Sequence, residues 1–357
     1  MRRLAARMLC LVLALVCLLP GVGIAQDLSS CPTAVQSALA QAQSSCGATA
    51  RNEVCYGHDA LQAQPAALLQ APGDIAPVAQ LQTLQLSPVN AETGQWGVAL
   101  ARLQVNLPDT LPGENVTFVL YGDVTFEPVH QASQPVISAF RMSSGIGGVR
   151  CGSTDMNGLI VQSPSTGQKV SFMLNGVEVR MGSTVQFLAQ PGGQMTVRTL
   201  AGAAVLSAGG LRSVATAGTQ VTVPLDDNLE PSGPPEFPTA YDVEELWALP
   251  IGLLDEEVDI AEPLSDEALE FLWGLIEADE FGELNLDDWL DSDDYDAFMD
   301  DFGDDSDGDL SDDEFSDDEE SDKQGDDDLG DTESSGEEGG DDFAEDDSGG
   351  DDGGEGG

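Results

Sequence analysis

Basic residues are scarce in this sequence, in which Lys and Arg together number 12 among 357 residues, against 65 Asp and Glu. Nucleic-acid binding relies on clustered Lys and Arg, so this shortage predicts no nucleic-acid partner. Only two histidines are present, His58 and His130, and neither lies in a motif used by Ser-His-Asp or Cys-His catalysis. No Gly-x-Ser-x-Gly, phosphate-binding Lys loop or His-Glu-x-x-His occurs either. The sequence therefore predicts no catalytic residues and no enzymatic activity.

Long apolar runs are also scarce, and the one at the start of the sequence is short. Three arginines within the first seven residues precede the apolar run 8–19, which Pro20 interrupts. This pattern is typical of a signal peptide over residues 1–25, with cleavage before Gln26. No later segment is long and apolar enough to cross a bilayer. We therefore expect a secreted or extracytoplasmic protein of the cell envelope or extracellular space, without a transmembrane segment after signal cleavage.

Cysteine is sparse, and removal of the signal peptide leaves Cys31, Cys46, Cys55 and Cys151. An even number of cysteines in an exported chain predicts two disulfides, but three connectivities are possible and the sequence does not choose among them. One pair must involve Cys151, which would join the N-terminal segment to the rest of the chain. The alternative is a zinc site formed by Cys55, His58 and two other cysteines, although this spacing matches no recognised zinc motif.

Acidic residues are abundant, but only in the second part of the chain. Residues 1–224 hold 11 acids and 11 bases, whereas residues 225–357 hold 54 acids and a single base, Lys323, so that the whole net charge of -53 lies there. Such a block repels itself in water, and we expect it to stay extended and solvated. Its expected partners are cations, bound weakly, and basic surfaces.

The first part of the mature chain changes its pattern near residue 75. Residues 26–72 contain three of the cysteines and predict a small disulfide-tied segment with a short helix over 33–42. Beyond them, apolar and polar residues alternate, as in Val116, Phe118 and Leu120. Alternation of this kind predicts half-buried β-strands.

The clearest strand pattern lies between residues 158 and 225, where turn residues separate short apolar segments. Asn175-Gly176 separates the segments 170–174 and 177–181, and Asn-Gly is typical of a two-residue hairpin turn. Val170, Phe172 and Leu174 should share one buried face with Val177, Val179 and Met181. Short strands at this spacing predict a β-sandwich or roll.

The same part of the chain resembles the FecR domain. The similarity lies in the runs 177–185 (VEVRMGSTV), 195–202 (MTVRTLAG) and 217–223 (AGTQVTV) and covers about residues 155–225. FecR is a periplasmic sensor arm joined to a membrane anchor and a regulator of a sigma factor. The resemblance implies a FecR-like β domain that acts as a binding or scaffold module. A FecR-type envelope sensor that works with a separate transducer is the alternative it suggests.

The acidic part has two textures. Prolines in residues 226–240 predict a stiff extended linker. Residues 241–302 mix acids with Leu, Trp and Phe at helical spacing, which indicates short amphipathic helices. These helices either fold on a partner or pack loosely on the β module. Residues 303–357 are mainly Asp, Glu, Gly and Ser and are expected to be disordered and of low complexity.

A degenerate EF-hand-like loop over residues 303–314 offers a possible calcium site, the only cofactor that the sequence suggests. Oxygen ligands at alternate positions, a glycine at the sixth position and a glutamate at the twelfth are the features that calcium loops share. Gly303 stands where the first aspartate belongs. The candidate ligands are Asp305, Asp307, Asp309, Ser311 and Glu314.

Together these patterns predict a mainly β protein with a FecR-like β-sandwich or roll of short antiparallel strands, a disulfide-tied N-terminal segment and a largely disordered acidic tail with short helices. The predicted segments are 1–25 (signal peptide), 26–72 (Cys-containing segment), 73–140 (β-rich segment), 141–225 (FecR-like domain), 226–240 (Pro-rich linker), 241–302 (acidic amphipathic segment) and 303–357 (tail). The predicted function is an exported binding or scaffold protein, whose partner is an envelope protein or glycan. Calcium binding is the alternative. This division also predicts that a chain shortened after Glu236 keeps a folded, β-rich module.

Overall fold

A computed structural model of the chain describes residues 31–90, 92–106, 115–130, 138–145, 150–164 and 169–302. The described part is mainly β, which confirms the predicted fold class. None of the helices in these ranges is long and apolar enough to span a membrane. The predicted signal peptide, the tail and the candidate calcium loop 303–314 lie outside the described residues.

Four helices and seventeen strands make up these ranges. The helices are α1 (Cys31–Cys46), α2 (Asp266–Glu280), α3 (Leu286–Leu290) and α4 (Asp293–Phe302). The strands are β1 (Glu53–His58), β2 (Leu61–Gln64), β3 (Ile75–Pro77), β4 (Thr83–Leu86), β5 (Val98–Gln104), β6 (Asn115–Tyr121), β7 (Val124–Pro128), β8 (Ala139–Ser144), β9 (Arg150–Cys151), β10 (Thr154–Asp155), β11 (Gly158–Gln162), β12 (Val170–Leu174), β13 (Val177–Ala189), β14 (Gln194–Ala208), β15 (Leu211–Thr216), β16 (Thr219–Pro224) and β17 (Thr239–Ala240). Single 3₁₀ turns lie at Val78–Gln80, Val243–Glu245 and Ile251–Leu253.

Fifteen strands form one curled sheet. Its main order is β2-β4-β7-β8-β12-β13-β11-β6-β5-β1-β3; β14 extends the sheet from β13 and pairs with β15 and β16, and β17 pairs with β16. The predicted boundary between residues 140 and 141 falls inside β8, and β6 lies beside β11. The strands before and after that boundary are therefore neighbours in a single sheet, because hydrogen bonding joins strands that are distant in sequence.

The predicted hairpin is confirmed in position and register. Leu174 lies opposite Val177, and Val170 lies opposite Met181. Asn175 and Gly176 have φ angles of 52° and 74°, as a turn with two positive φ angles requires. The six apolar side chains expected on one face are all fully buried.

The sheet buries side chains on both faces. One face holds the largest core, in which five phenylalanines contact one another with ring centroids 5.3–6.4 Å apart: Phe118, Phe126, Phe140, Phe172 and Phe187. On the opposite face, α1 and the segment 241–254 cover a second core around Trp96 and Tyr121. A third core lies farther along that face, where residues 264–298 cover β14 and β15.

The second and third cores correct the expectation that the acidic part stays extended and solvated from residue 225 onward. Residues 241–302 contain buried apolar side chains, among them Leu246, Leu272 and Trp289. Their burial against the sheet offsets the charge repulsion that the sequence pattern emphasised. The helices predicted here are therefore firmly packed on the β module, rather than loosely attached to it.

The Pro-rich segment 226–240 is not the free, extended linker that the sequence predicts, because the chain reverses in a turn over residues 226–230 and then runs back beside β16. The amide of Glu236 donates to the carbonyl of Thr222 at 2.8 Å, and the amide of Ser232 donates to the carbonyl of Pro224 at 2.9 Å. Its last two residues form β17. The segment therefore runs along the sheet and fixes the place where the acidic helices begin.

A disulfide joins Cys46, at the end of α1, to Cys55 in β1. Cys151 is disulfide-bonded as well. The helix predicted over 33–42 extends over Cys31–Cys46. The zinc alternative at Cys55 and His58 is wrong, because a sulfur in a disulfide does not supply the thiolate that zinc requires.

Candidate functional site: a charged interface and an acidic cleft

The cations of the sheet face the acids of the C-terminal segment. Residues 26–224 contain eight Lys and Arg, and six of them form ion pairs with acids between residues 230 and 291. These pairs are Arg102 with Asp255, Arg141 with Glu230, Lys169 with Asp291, Arg180 with Asp287 and Asp291, Arg198 with Glu245, and Arg212 with Asp279 and Asp287. Ion pairs at six cations thus join the neutral β module to the acidic segment.

Arg198 is the most buried of these cations, with 9% of its side chain exposed. It pairs with Glu245, and its Nε donates to Gln220 Oε1 at 3.0 Å. Gln186, which accepts from Arg198 Nη1 at 3.4 Å, donates to the Tyr121 hydroxyl at 2.7 Å. Burial raises the pKa of Tyr121, which stays a neutral phenol. This polar network ties four strands to the turn that contains Glu245.

Asp255 is held by a second, more exposed arginine. Arg102 donates to it through Nε at 3.1 Å and Nη2 at 2.5 Å, and the Thr117 hydroxyl donates to the same carboxylate. The hydrogen bond from Arg102 is the main cause that lowers the pKa of Asp255. Hydrogen bonds to the charged form favour ionisation, which explains the direction of the change.

The lowered pKa predicts a pH dependence. Stabilisation from the Arg102–Asp255 pair should be complete above the unfolded-state pKa of about 3.9 and lost as the pH falls through the lower folded-state value. We expect Asp255→Asn to reduce the free energy of unfolding at pH 7 and to flatten its decline below pH 4, as measured by urea denaturation at several pH values. Asp259→Asn removes an exposed carboxylate without an ion pair among the described residues and is the control. If the free energy of unfolding declines equally below pH 4 in the unsubstituted protein and in both variants, Asp255 does not have this role.

Three further cations gather at the third core. Arg212 pairs with Asp279 and Asp287, while Arg180 contacts Asp287 at 2.8 Å. Lys169 lies nearby, with its Nζ 3.0 Å from Asp291. They hold the end of α2 and the whole of α3 on the sheet.

A cleft of about 750 Å³ lies beside this cluster. Strand residues form its floor, and residues 256–259 and 290–296 form its walls. The side chain of Gln162 fixes one wall, since it accepts from the Glu256 amide and donates to the Glu256 carbonyl, both at 3.1 Å. The charged lining residues are Glu256, Glu257, Asp259, Asp291, Asp293, Asp296 and Lys169. With six carboxylates and one amine, the cleft attracts positive charge.

Lys169, the only cation among the described residues that line the cleft, is already engaged. Lys169 Nζ donates to the Leu290 carbonyl at 2.5 Å and lies 5.8 Å from the ring centre of Tyr295. Burial raises the pKa of the Tyr295 hydroxyl. Within the described residues, no three His, Cys, Asp or Glu side chains are grouped so as to hold a metal ion.

The two histidines lie apart from this cleft. His58 Nδ1 is 2.9 Å from the Trp96 carbonyl oxygen, and His130 Nε2 is 2.8 Å from that of Leu81. The sequence reasoning missed the cleft, because its two sides are distant in the chain: Gln162 and Glu256 are 94 residues apart, and Lys169 and Leu290 are 121 apart. The signal for it in the sequence was the high number of acids in residues 255–296, which are opposite in charge to the cations of the strands.

No protein-family model matches the chain, and no curated protein sequence matches it significantly. Two crystal structures are similar to it, each described as a "putative anti-sigma factor" from Parabacteroides distasonis. Sequence identities are 10% and 13%, and TM-scores are 0.28 and 0.25. The matches cover 45% and 40% of this chain and 61% of each neighbour. At these values they carry no argument about function, and the FecR resemblance stays a prediction.

Proposed function

We propose that this chain is an exported, non-enzymatic binding or scaffold protein, which acts at the cell envelope or outside the cell and offers an acidic surface to basic partners. The observation that supports this proposal is the excess of unpaired carboxylates over unpaired cations in the described fold. Seven of the eight cations in residues 26–224 are paired internally, whereas residues 225–302 hold 27 acids, of which six pair with these cations. The carboxylates that remain face solvent in excess.

An excess of this kind acts at a distance. Its field attracts oppositely charged surfaces and speeds their encounter, and salt weakens the effect beyond a Debye length of about 10 Å at 0.1 M. Affinity then depends on contacts at the surface itself. The cleft supplies such contacts, because its walls bring carboxylates from two separate segments toward one volume.

The chemistry of the partner follows from these features. A Lys or Arg side chain that enters the cleft meets several carboxylates and pairs with them by charge-assisted hydrogen bonds. We therefore propose a Lys- or Arg-bearing surface, such as that of a basic envelope protein, as the partner.

Binding of a short four-lysine peptide tests this function. We expect the complete chain and a chain shortened after Phe302 to bind it in calorimetry, with an affinity that falls as salt rises. The cleft variant Asp259→Asn/Asp293→Asn/Asp296→Asn should weaken binding to the shortened chain about tenfold, since each lost contact is worth several tenths of a kcal/mol or more.

The control for this experiment is Asp266→Asn/Glu267→Gln/Glu270→Gln, which removes the same charge from the exposed face of α2. It should change the affinity less than threefold, because charge without contact contributes mainly to the rate of encounter. Equal losses of affinity in both variants would mean that the cleft attracts the peptide only through its general charge and makes no specific contacts with it. No measurable binding to either chain would overturn the proposed function.

A further inference from the structure

We infer that residues 264–302 form a strap whose attachment to the sheet is regulated by cations. Lys169, Arg180 and Arg212 hold the strap, and positive charge from outside strengthens the attachment by neutralising acids that the sheet leaves unpaired. The strap comprises α2, α3, α4 and the residues that connect them. That the external cation is a basic partner rests on the proposed function; the response to simple salt does not.

The strap lacks the means to stabilise its own helices. It contains 15 acids and no base. Ser265 caps the start of α2, where acids are favourable, but Glu277, Asp279 and Glu280 crowd its last turn. Negative charge at a helix C-terminus opposes the helix dipole and costs about 0.3–1 kcal/mol for each group. Without the sheet, these short helices would be weak.

Two kinds of contact hold the strap on the sheet. Its apolar side chains, among them Leu272, Ile276 and Trp289, pack against Val205 and Val214 of the sheet. Asp279 makes the central polar contact and is 6% exposed. It accepts from Arg212 and, at 3.0 Å, from the Leu286 amide, so that it joins the end of α2 to the start of α3.

The acids of the strap therefore fall into two classes with opposite effects. Asp279, Asp287 and Asp291 are within 3.0 Å of cations of the sheet. Asp279 is 6% exposed, and attraction across its close pair with Arg212 is little affected by salt. The other acids, such as Glu280, are without an ion pair in the described fold, and their mutual repulsion acts over longer distances through solvent. Salt screens this repulsion strongly.

The sign of the salt effect follows. The Debye length falls from about 30 Å at 0.01 M to about 8 Å at 0.15 M, so this increase removes most of the repulsion while the close pairs persist. Salt should thus tighten the strap, whereas it would loosen a strap held by ordinary exposed salt bridges. A basic ligand in the cleft acts in the same direction, because it lies between the carboxylates of residues 256–259 and those of residues 291–296 and offsets their mutual repulsion. By linkage, strap closure then favours ligand binding.

Hydrogen exchange on the complete chain measures this attachment. Between 10 and 150 mM sodium chloride, we expect protection of residues 266–280 and 286–302 to rise about threefold or more, relative to protection in β13. The four-lysine peptide should raise it further at 10 mM salt. If protection of these residues stays constant or falls as salt rises, the proposal that cations strengthen the attachment of the strap is wrong. Failure of the peptide alone would count against the proposed partner, since the salt response needs no ligand.

Two adjacent substitutions at the end of α2 provide the matched test. Asp279→Asn should lower protection of the strap about tenfold, because it weakens charged hydrogen bonds, whereas Glu280→Gln should raise it about two- to fivefold, because it relieves the helix dipole. If both changes shift protection in the same direction, the two-class assignment is wrong. If Asp279→Asn also lowers protection of β13, the substitution has disturbed the sheet, and the milder Arg212→Lys is used instead. For Arg212→Lys we expect lower protection in the strap and unchanged protection in β13.

Discussion

Shortening the chain after Glu236 is expected to lower the free energy of unfolding by about 5 kcal/mol or more, and to leave a β-rich fragment that binds apolar dyes. The cut removes the covers of the second and third cores, which include Leu246, Leu272 and Trp289. Each fully buried large apolar side chain contributes about 1.5–3 kcal/mol by burial, partly offset by the entropy of ordering the segment. The sequence alone predicted that a folded, β-rich module remains after this cut, and the packing of residues 237–302 on the sheet adds the expectation that this module is much less stable.

A chain shortened after Phe302 is the matched comparison. It keeps every side chain of the three cores and removes 27 acids, so we expect its thermal midpoint to equal or exceed that of the complete chain. Thermal and urea unfolding, followed by circular dichroism, measure both proteins. Equal stability of the two shortened chains would mean that residues 237–302 contribute nothing to the fold.

Removing the carboxylate of Glu245 is expected to cost about 2 to 3 kcal/mol. Its partner Arg198 is almost fully buried, and a buried cation without its counter-ion retains the desolvation penalty that the pair offset. Glu245→Ala should therefore lower the urea midpoint with an unchanged m-value. Glu244→Ala, at the exposed neighbouring position, should change the free energy of unfolding by less than about 0.5 kcal/mol.

The double substitution Arg198→Met/Glu245→Leu distinguishes the contribution of the ion pair to stability from the contribution of buried side chains at the same positions. Replacement of a buried ion pair by apolar side chains of similar size is often neutral, so we expect the double variant to be more stable than Glu245→Ala alone. The Gln186 and Gln220 amides then lose a donor, which sets a limit to the recovery. A double variant less stable than Glu245→Ala would mean that Arg198 stabilises the strands independently of Glu245.

Local features of this protein were predictable because neighbours along the chain produce them. Asn175-Gly176 fixed the turn, and the alternation on both sides fixed which side chains of β12 and β13 are buried. The linker and the acidic segment were misjudged for the opposite reason. Their composition favours an extended chain, and only the sheet beside them supplies the cations and the apolar surface that fold them.

By itself, the sequence determined the mainly β class, the hairpin and the placement of acidic charge, since strand alternation, turn chemistry and charge are properties of short segments. Tertiary structure decided which strands are neighbours, that Cys46 pairs with Cys55, and which six acids of the C-terminal segment meet a cation of the β module. The partners in these contacts are far apart in the chain, 47 residues for Arg198 and Glu245 and 153 for Arg102 and Asp255. Attraction between such groups becomes specific only when a folded sheet holds one of them in place.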